Sequence, residues 1–193
     1  PSGVQEFTRP LPDYEALRAK LALYAQDQWT VGRITLNLGI RFDYHNAYVP
    51  AQNLAATLFV PARVYDEVLN VPNWKDLSPR IGAAWDVFGT GRTALKGSVS
   101  RYVAADATGF ASRNNPVNTS VNTATRTWTD LNGNFVPDCD LTNPAANGGE
   151  CGALTPTNFG KPNIATRYAD DVIHGFGNRG WDWEVSGGVE QEL

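Results

Sequence analysis

Methionine is absent from this 193-residue chain, and cysteine and histidine occur only twice each. No apolar run approaches the roughly 18 residues a membrane-crossing helix needs, so helical membrane spans are excluded. A basic block is also missing: 16 Lys and Arg are scattered among 20 Asp and Glu, for a net charge of −4. That balance argues against a nucleic-acid partner, which would call for a basic stripe or cluster. Neither Gly-x-Ser-x-Gly, His-Glu-x-x-His nor a phosphate loop occurs, and no nucleophile motif surrounds His45 or His174. The first residues show no charged-then-apolar signal pattern. With Pro1 leading and no Met, the expectation is a mature protein or an excised piece.

What the chain does have is 42% apolar residues, which rules out wholesale disorder at a length suited to one domain or two. Six Trp, seven Tyr and eight Phe bring the aromatic share to 11%, yet the mean hydropathy is negative. Apolar residues are therefore interleaved with polar ones. That is the texture of strands.

The clearest segment is residues 34–44. Ile34, Leu36, Leu38, Ile40, Phe42 and Tyr44 alternate with Thr35, Asn37, Gly39, Arg41 and Asp43. Strict period-two alternation predicts a strand with one dry and one wet face. Its length exceeds the five or six residues usual in soluble domains and suits the roughly 9–11 of a tilted strand crossing a bilayer. Further strands are predicted near 21–30, 79–88, 93–103 and 181–193, with long loops at 45–78 and 104–180. Leu23, Ala25 and Trp29 share a face of the first, and Val31-Gly32-Arg33 supplies a tight reversal after it. Ile81, Ala83, Trp85 and Val87 alternate with Arg80, Gly82 and Asp86, before a turn at Gly89-Thr90-Gly91-Arg92. Leu95, Gly97 and Val99 alternate with Lys96, Ser98 and Ser100. In the last strand Trp181, Trp183, Val185 and Val189 oppose Asp182, Glu184, Ser186, Glu190 and Glu192. Ahead of all these, Asp13–Arg18 carries a helical-turn pattern that Pro10 and Pro12 approach in extended form.

The connections run short, long, short, very long. Outer-membrane barrels show this asymmetry, with short periplasmic turns and long external loops. Trp29, Phe42, Tyr44, Phe88, Tyr102 and Trp181 fall near strand ends, where aromatic girdles sit. The fold class read from these features is all-β: an antiparallel up-and-down meander of about five long strands, part of a transmembrane β-barrel.

The run Leu23-Tyr24-Ala25-Gln26-Asp27-Gln28-Trp29-Thr30, followed by Leu36-Asn37-Leu38-Gly39-Ile40-Arg41-Phe42-Asp43, resembles the barrel of TonB-dependent outer-membrane receptors. The stretch Asn73–Asp86, Arg101-Tyr102 before a long loop, and Trp183-Glu184 opening a strand are similar to the same family. Asn115-Pro116-Val117-Asn118 and Arg126-Thr127-Trp128 resemble its large members with a carboxypeptidase-regulatory-like N-terminal domain. The resemblance implies a bacterial outer-membrane transporter whose barrel of about 22 strands surrounds a plug. External loops would capture a ligand, and a TonB-type protein would energise the plug. Neither plug nor energy-coupling segment is found in these residues, and about five strands cannot close a barrel. The chain therefore reads as a single barrel segment spanning 1–193, in contact with outer-membrane lipid. Asn37, Arg41, Asp43, Arg80, Asp86 and Lys96 are expected toward the lumen, and Leu36, Leu38, Ile40, Phe42, Ile81 and Trp85 toward lipid. The alternative is a secreted, soluble all-β binding module or hydrolase, its strands forming a sandwich with a calcium-stabilised loop.

The most site-like stretch lies in the long loop. Asp130, Asn132, Asn134 and Asp138 recur at a spacing that can wrap a calcium ion. The fit to an EF-hand is imperfect, since glycine falls early and no Glu holds the twelfth position. Two readings stay open: a calcium loop, or an Asx-rich turn without metal. Cys139 and Cys151 are expected to form a disulfide in a periplasmic or extracellular setting, a reactive thiol being the alternative. Zinc is disfavoured because no other cysteine exists and neither histidine is near in sequence. No cofactor is required by the sequence, and no catalytic residue is assigned. Asp182, Glu184, Glu190 and Glu192 have the spacing of a glycosidase pair, but a polar barrel wall explains them better.

Overall fold

A computed structural model describes residues 3–192; Pro1 and Leu193, the expected end of the last strand, lie outside the described residues. In chain order the elements are β1 (Gly3–Phe7), β2 (Ala16–Val31), β3 (Ile34–Tyr48), β4 (Gln52–Leu54), β5 (Arg63–Tyr65) and β6 (Asn73–Asp86). There follow β7 (Thr93–Val103), α1 (Gly109–Arg113), β8 (Thr123–Thr127), α2 (Asp170–Ile173), β9 (His174–Phe176) and β10 (Trp181–Gln191). The chain divides into two compact units, one built on residues 17–48, 70–108 and 168–193 and the other on the remainder.

The first unit is a six-stranded sheet in the order β10-β7-β6-β3-β2, with β9 pairing β6 off this path. The path is an antiparallel meander. Strands β2 and β3 meet at the two-residue turn Gly32-Arg33, where Gly32 takes φ +60, the left-handed conformation a tight hairpin requires at its first central residue. Between β6 and β7 the Asp86 carboxylate accepts hydrogen bonds from Gly89 N–H at 2.8 Å and Gly91 N–H at 2.9 Å, closing the turn.

Register carries the alternation across the whole sheet. Leu38 stands opposite Ile81, Ile81 opposite Val99, and Val99 opposite Val185, one apolar row over four strands. One residue away, Gly39, Arg80, Ser100 and Glu184 form a polar row, and Asn37, Gly82, Ser98 and Ser186 another. Polar residues bond along these rows: Ser98 and Ser186 hydroxyls lie 2.7 Å apart, and Lys96 Nζ reaches Glu190 Oε2 at 2.6 Å. The apolar face is left in the open, with Ile81 51%, Trp85 44%, Val185 72% and Val189 67% exposed. A sheet in water would hide that face. On β2, Asp27 shares the parity of Ala25 and Trp29, and its carboxylate is satisfied by the Trp29 indole N–H and the Gln28 N–H.

The second unit is made of connections. Strands β1 and β8 pair antiparallel, with Val4 opposite Arg126 and Glu6 opposite Ala124, and β4 pairs β5. Val49, Ala111, Val117 and Ala124 are fully or almost fully buried here. So are polar groups: Asn115 accepts from Gln52 Nε2 at 2.9 Å and from Val117 N–H at 3.0 Å, and donates to Glu15 Oε1 at 2.9 Å. Arg126 Nε sits 2.9 Å from Glu6 Oε1, and its Nη2 donates to the carbonyls of Asn143 and Leu141. Burial pushes the Glu6 carboxyl up, opposed by the Arg126 charge beside it. Removing either partner of such a buried pair would cost about 3–5 kcal/mol, because the other charge is stranded.

Several expectations are corrected. The helical turn at Asp13–Arg18 does not form, since Ala16 already begins β2 and sheet pairing overrides the local pattern. Strands β2, β3 and β6 reach 16, 15 and 14 residues, longer than expected, because pairing runs on after the alternation stops. Strand β10 ends at Gln191. The stretches 45–78 and 104–180 are not featureless, for they hold short strands, two short helices and a core of their own. Tyr102 is not on the girdle side: it stands opposite Asp182 on the polar face, with the Arg80 guanidinium 5.0 Å from its ring centre.

The two faces predict opposite responses to charge. Ile81→Arg, at mid-height on the apolar face, should cost about 2–4 kcal/mol in reversible unfolding from lipid vesicles. Ser98→Lys on the polar face should cost less than about 1 kcal/mol. Equal losses would mean the faces are misassigned.

Candidate functional site

In the sheet unit, period two places Arg41, Asp43 and His45 of β3 on one face, and Trp74, Asp76, Ser78 and Arg80 of β6 on the same side. Register sets Asp43 directly opposite Asp76, a like-charge pair that needs cations nearby. They are present. Arg41 forks onto Asp43 at 2.9 and 3.1 Å, and Arg101 Nη2 lies 3.7 Å from Asp76 Oδ1 while Nη1 donates to the Leu77 carbonyl at 2.6 Å. His45 is buried, its Nε2 3.5 Å from Asp106 Oδ2 and its ring stacked on Trp74 at 6.0 Å. Trp74 is fixed by its indole N–H to the Val172 carbonyl at 2.8 Å, and the Arg179 guanidinium lies 5.8 Å over its ring. Of these residues Arg41, Asp43, His45, Ser78, Arg80, Arg101 and Arg179 border an open cavity of about 400 Å³, reached also by Lys20, Tyr44 and Tyr102. The cavity is an open recess with charged side chains at its border, of a size to hold a small molecule.

Of the residues expected toward the lumen, Arg41, Asp43 and Arg80 meet at this cavity. Asn37 lies on the same face beside Gly82. Asp86 instead closes a turn, and Lys96 is engaged by Glu190. Lys20, Trp74, Asp76, Arg101 and Arg179 were missed. Arg179 lies outside any alternating segment, and Asp76 and Trp74 precede the stretch where alternation was visible. His174 is half-buried, its Nδ1 3.9 Å from Asp170 Oδ1, away from this cavity.

In the second unit three of the four residues of the expected calcium loop bond one another through their side chains. Asp138 Oδ2 accepts from the Asn132 and Asn134 amides at 2.6 and 2.9 Å. Asp130 accepts from the Gly133 and Phe135 N–H groups, and the Asn132 and Asn134 carbonyl oxygens accept from the N–H groups of Asn134 and Val136. These are Asx turns in succession. Among the described residues no group of three or more His, Cys, Asp and Glu is arranged to hold a metal. Cys139 and Cys151 form the disulfide, with Cα atoms 6.1 Å apart. Closing a loop of this separation contributes roughly 3 kcal/mol in the chain-entropy picture. Gly148 belongs to this closure: its φ is +63, and a Cβ there would fall 2.5 Å from the Asp138 carbonyl oxygen.

Glu150 anchors the loop and was missed. Its carboxylate accepts from Leu131 N–H and Asp138 N–H at 3.0 Å and from the Trp128 indole at 3.2 Å. The signal was its place next to Cys151, which the disulfide carries to the neighbourhood of Asp138. Those backbone N–H bonds, Asp138 first, hold its carboxyl below the ordinary value of 4.5.

A sheet of bilayer-length strands, apolar on one open face and polar on the other, with short turns at one end, defines the wall of an outer-membrane β-barrel. The chain belongs to the family described as the outer membrane beta barrel domain, whose model matches residues 4–174. No curated protein and no solved structure matches the chain. Its place is the bacterial outer membrane, and its open sheet is one part of a barrel wall.

The lowered pKa of Glu150 fixes a sign. An acid with a depressed folded value adds stability that is fully present above its unfolded pKa and is lost as pH falls through the folded one. Protease nicking of residues 129–151 should therefore stay slow at neutral pH and quicken below the usual glutamate range. Glu150→Gln should remove that acid-dependent step; an unchanged pH profile in the variant would contradict the anchor role.

Proposed function

We propose that the chain is part of the barrel wall of a TonB-dependent receptor that takes up a small ligand or glycan, in the large subgroup with a carboxypeptidase-regulatory-like N-terminal domain. A plug domain and a TonB-type energising protein are its implied partners. The observation that carries the reading is the sheet itself, which turns a continuous apolar face outward while its other face holds a charged recess. The long connections support it, since they fold into a unit with its own core rather than trailing as loose chain. Loops ordered before a ligand arrives lose less entropy on capturing one. The assignment is to transport, not to catalysis.

Two measurements test it. The chain should need detergent or lipid to stay monomeric; a stable monomer in plain buffer would favour the secreted, soluble alternative. Cells lacking the whole receptor should lose growth on one class within a panel of iron chelates, glycans and peptides, and loss of the energising protein should reproduce that defect. Growth unaffected throughout would remove the transport reading.

Calcium at Asp130, Asn132, Asn134 and Asp138 belongs to this proposal, supported by their spacing in one loop and by the approach of Asn132 and Asn134 to Asp138. A melting scan with calcium and then with chelator should show a higher midpoint with the ion. An identical midpoint removes the metal.

A further inference from the structure

We propose that the recess between β2, β3 and the segment leading into β10 is a subsite for an oxyanion, the carboxylate or phosphate group of a small soluble ligand. This deepens the uptake reading and rests on it only for which face of the sheet is the lumenal one.

The argument is one of uncompensated charge. Five cations border the recess, Lys20, Arg41, Arg80, Arg101 and Arg179. The carboxylates within reach are Asp43, Asp76 and Asp106, which leaves a surplus of two positive charges. The surplus stands out in a chain whose net charge is −4. Two cations are already used: Arg41 is forked onto Asp43, and Arg101 stands beside Asp76. Asp106 stands beside His45. Lys20, Arg80 and Arg179 have no carboxylate within 4 Å among the described residues. Lys20 instead donates to the Asp106 main-chain carbonyl at 3.2 Å, and Arg80 lies over the Tyr102 ring.

Arg179 is decisive. Only 7% of it is exposed, and its Nε has no hydrogen-bond partner. A buried guanidinium normally meets a carboxylate or phosphate, whose paired oxygens match its fork. Here the guanidinium lies 5.8 Å from the Trp74 ring centre instead, and its Nε is left without a partner. A buried cation over an indole, sharing one recess with a second arginine and a lysine that also lack a carboxylate, suits a multi-oxygen anion. A neutral sugar would gain nothing from the surplus charge, and a cationic ligand would be repelled.

The test is calorimetric titration of the chain in zwitterionic detergent with citrate and with inorganic phosphate, at ionic strength held constant with chloride. At least one of the two should bind saturably above the chloride background. Arg179→Gln should weaken that binding about tenfold or more, and Arg179→Lys, which keeps the charge but loses the fork, by less. Lys96→Gln, whose ammonium is already paired with Glu190, should bind as the parent does. Parent-like affinity in Arg179→Gln, or no binding above chloride for either anion, overturns the subsite. Should Arg179→Gln lose the β-sheet spectrum of the parent, Lys20→Gln and Arg80→Gln decide on the same terms. Binding absent in a receptor that still takes up its ligand removes this inference alone. Binding intact in a receptor that takes up nothing removes the uptake reading alone.

Discussion

In hydrocarbon no water is available to an amide, so every N–H and C=O of a spanning segment must find its partner within the protein. Strands meet that demand only by pairing on both sides. Strands β3, β6 and β7 have a neighbour on each side, while β2 and β10 have one each along the meander. The sheet is therefore open, and both of its long edges still carry a row of main-chain groups that a membrane would not tolerate. Everything else about the unit follows from pairing of this length. Strands β2 and β3, of 16 and 15 residues, are neighbours joined by a turn of two, which restricts their register.

Register then turns a one-dimensional pattern into two surfaces. Because Leu38, Ile81, Val99 and Val185 are aligned, a slip of one residue anywhere would turn charged groups toward lipid along a whole strand. The polar face is held by short-range bonds, such as Lys96 to Glu190 and Ser98 to Ser186, that a wet lumen tolerates at little gain. Polar wall and apolar wall are thus one constraint seen from two sides.

What could be read beforehand was the part of each strand that lipid acts on. Residues 34–44 alternate because one side must be greasy, and β7 was legible from Thr93 to Val103 for the same reason. Beyond Tyr44 the ladder continues, with His45 opposite Trp74 and Asn46 opposite Asn73, yet the alternation is gone. Outside the bilayer both sides of a strand meet polar groups or loop residues, so pairing persists without a hydropathy signature. That is why β6 begins at Asn73 rather than at Pro79, and why the cluster around Asp76 and Trp74 escaped notice. The core of the second unit was hidden by distance along the chain: Glu6 and Arg126 identify each other only once β1 and β8 are paired. The Asp130–Asp138 loop and its disulfide were visible because both are local.

Two kinds of buried charge separate the two units by purpose. In the connection unit Glu6 and Arg126 answer each other, with the Asn143 and Leu141 carbonyls accepting from Nη2, so the pair specifies one packing. In the sheet unit Arg41 and Arg101 neutralise the Asp43–Asp76 opposition that register creates, and they too are spent on structure. Arg179 is different, since it has no carboxylate within 4 Å among the described residues and its charge reaches Asp76 only from farther off. A fold that needed only to keep its strands in register would place an apolar residue over Trp74 and avoid desolvating a guanidinium. Its charge helps offset the Asp43–Asp76 opposition from a distance, and a negative charge entering the recess would give its burial a second reason, which is where structure gives way to function.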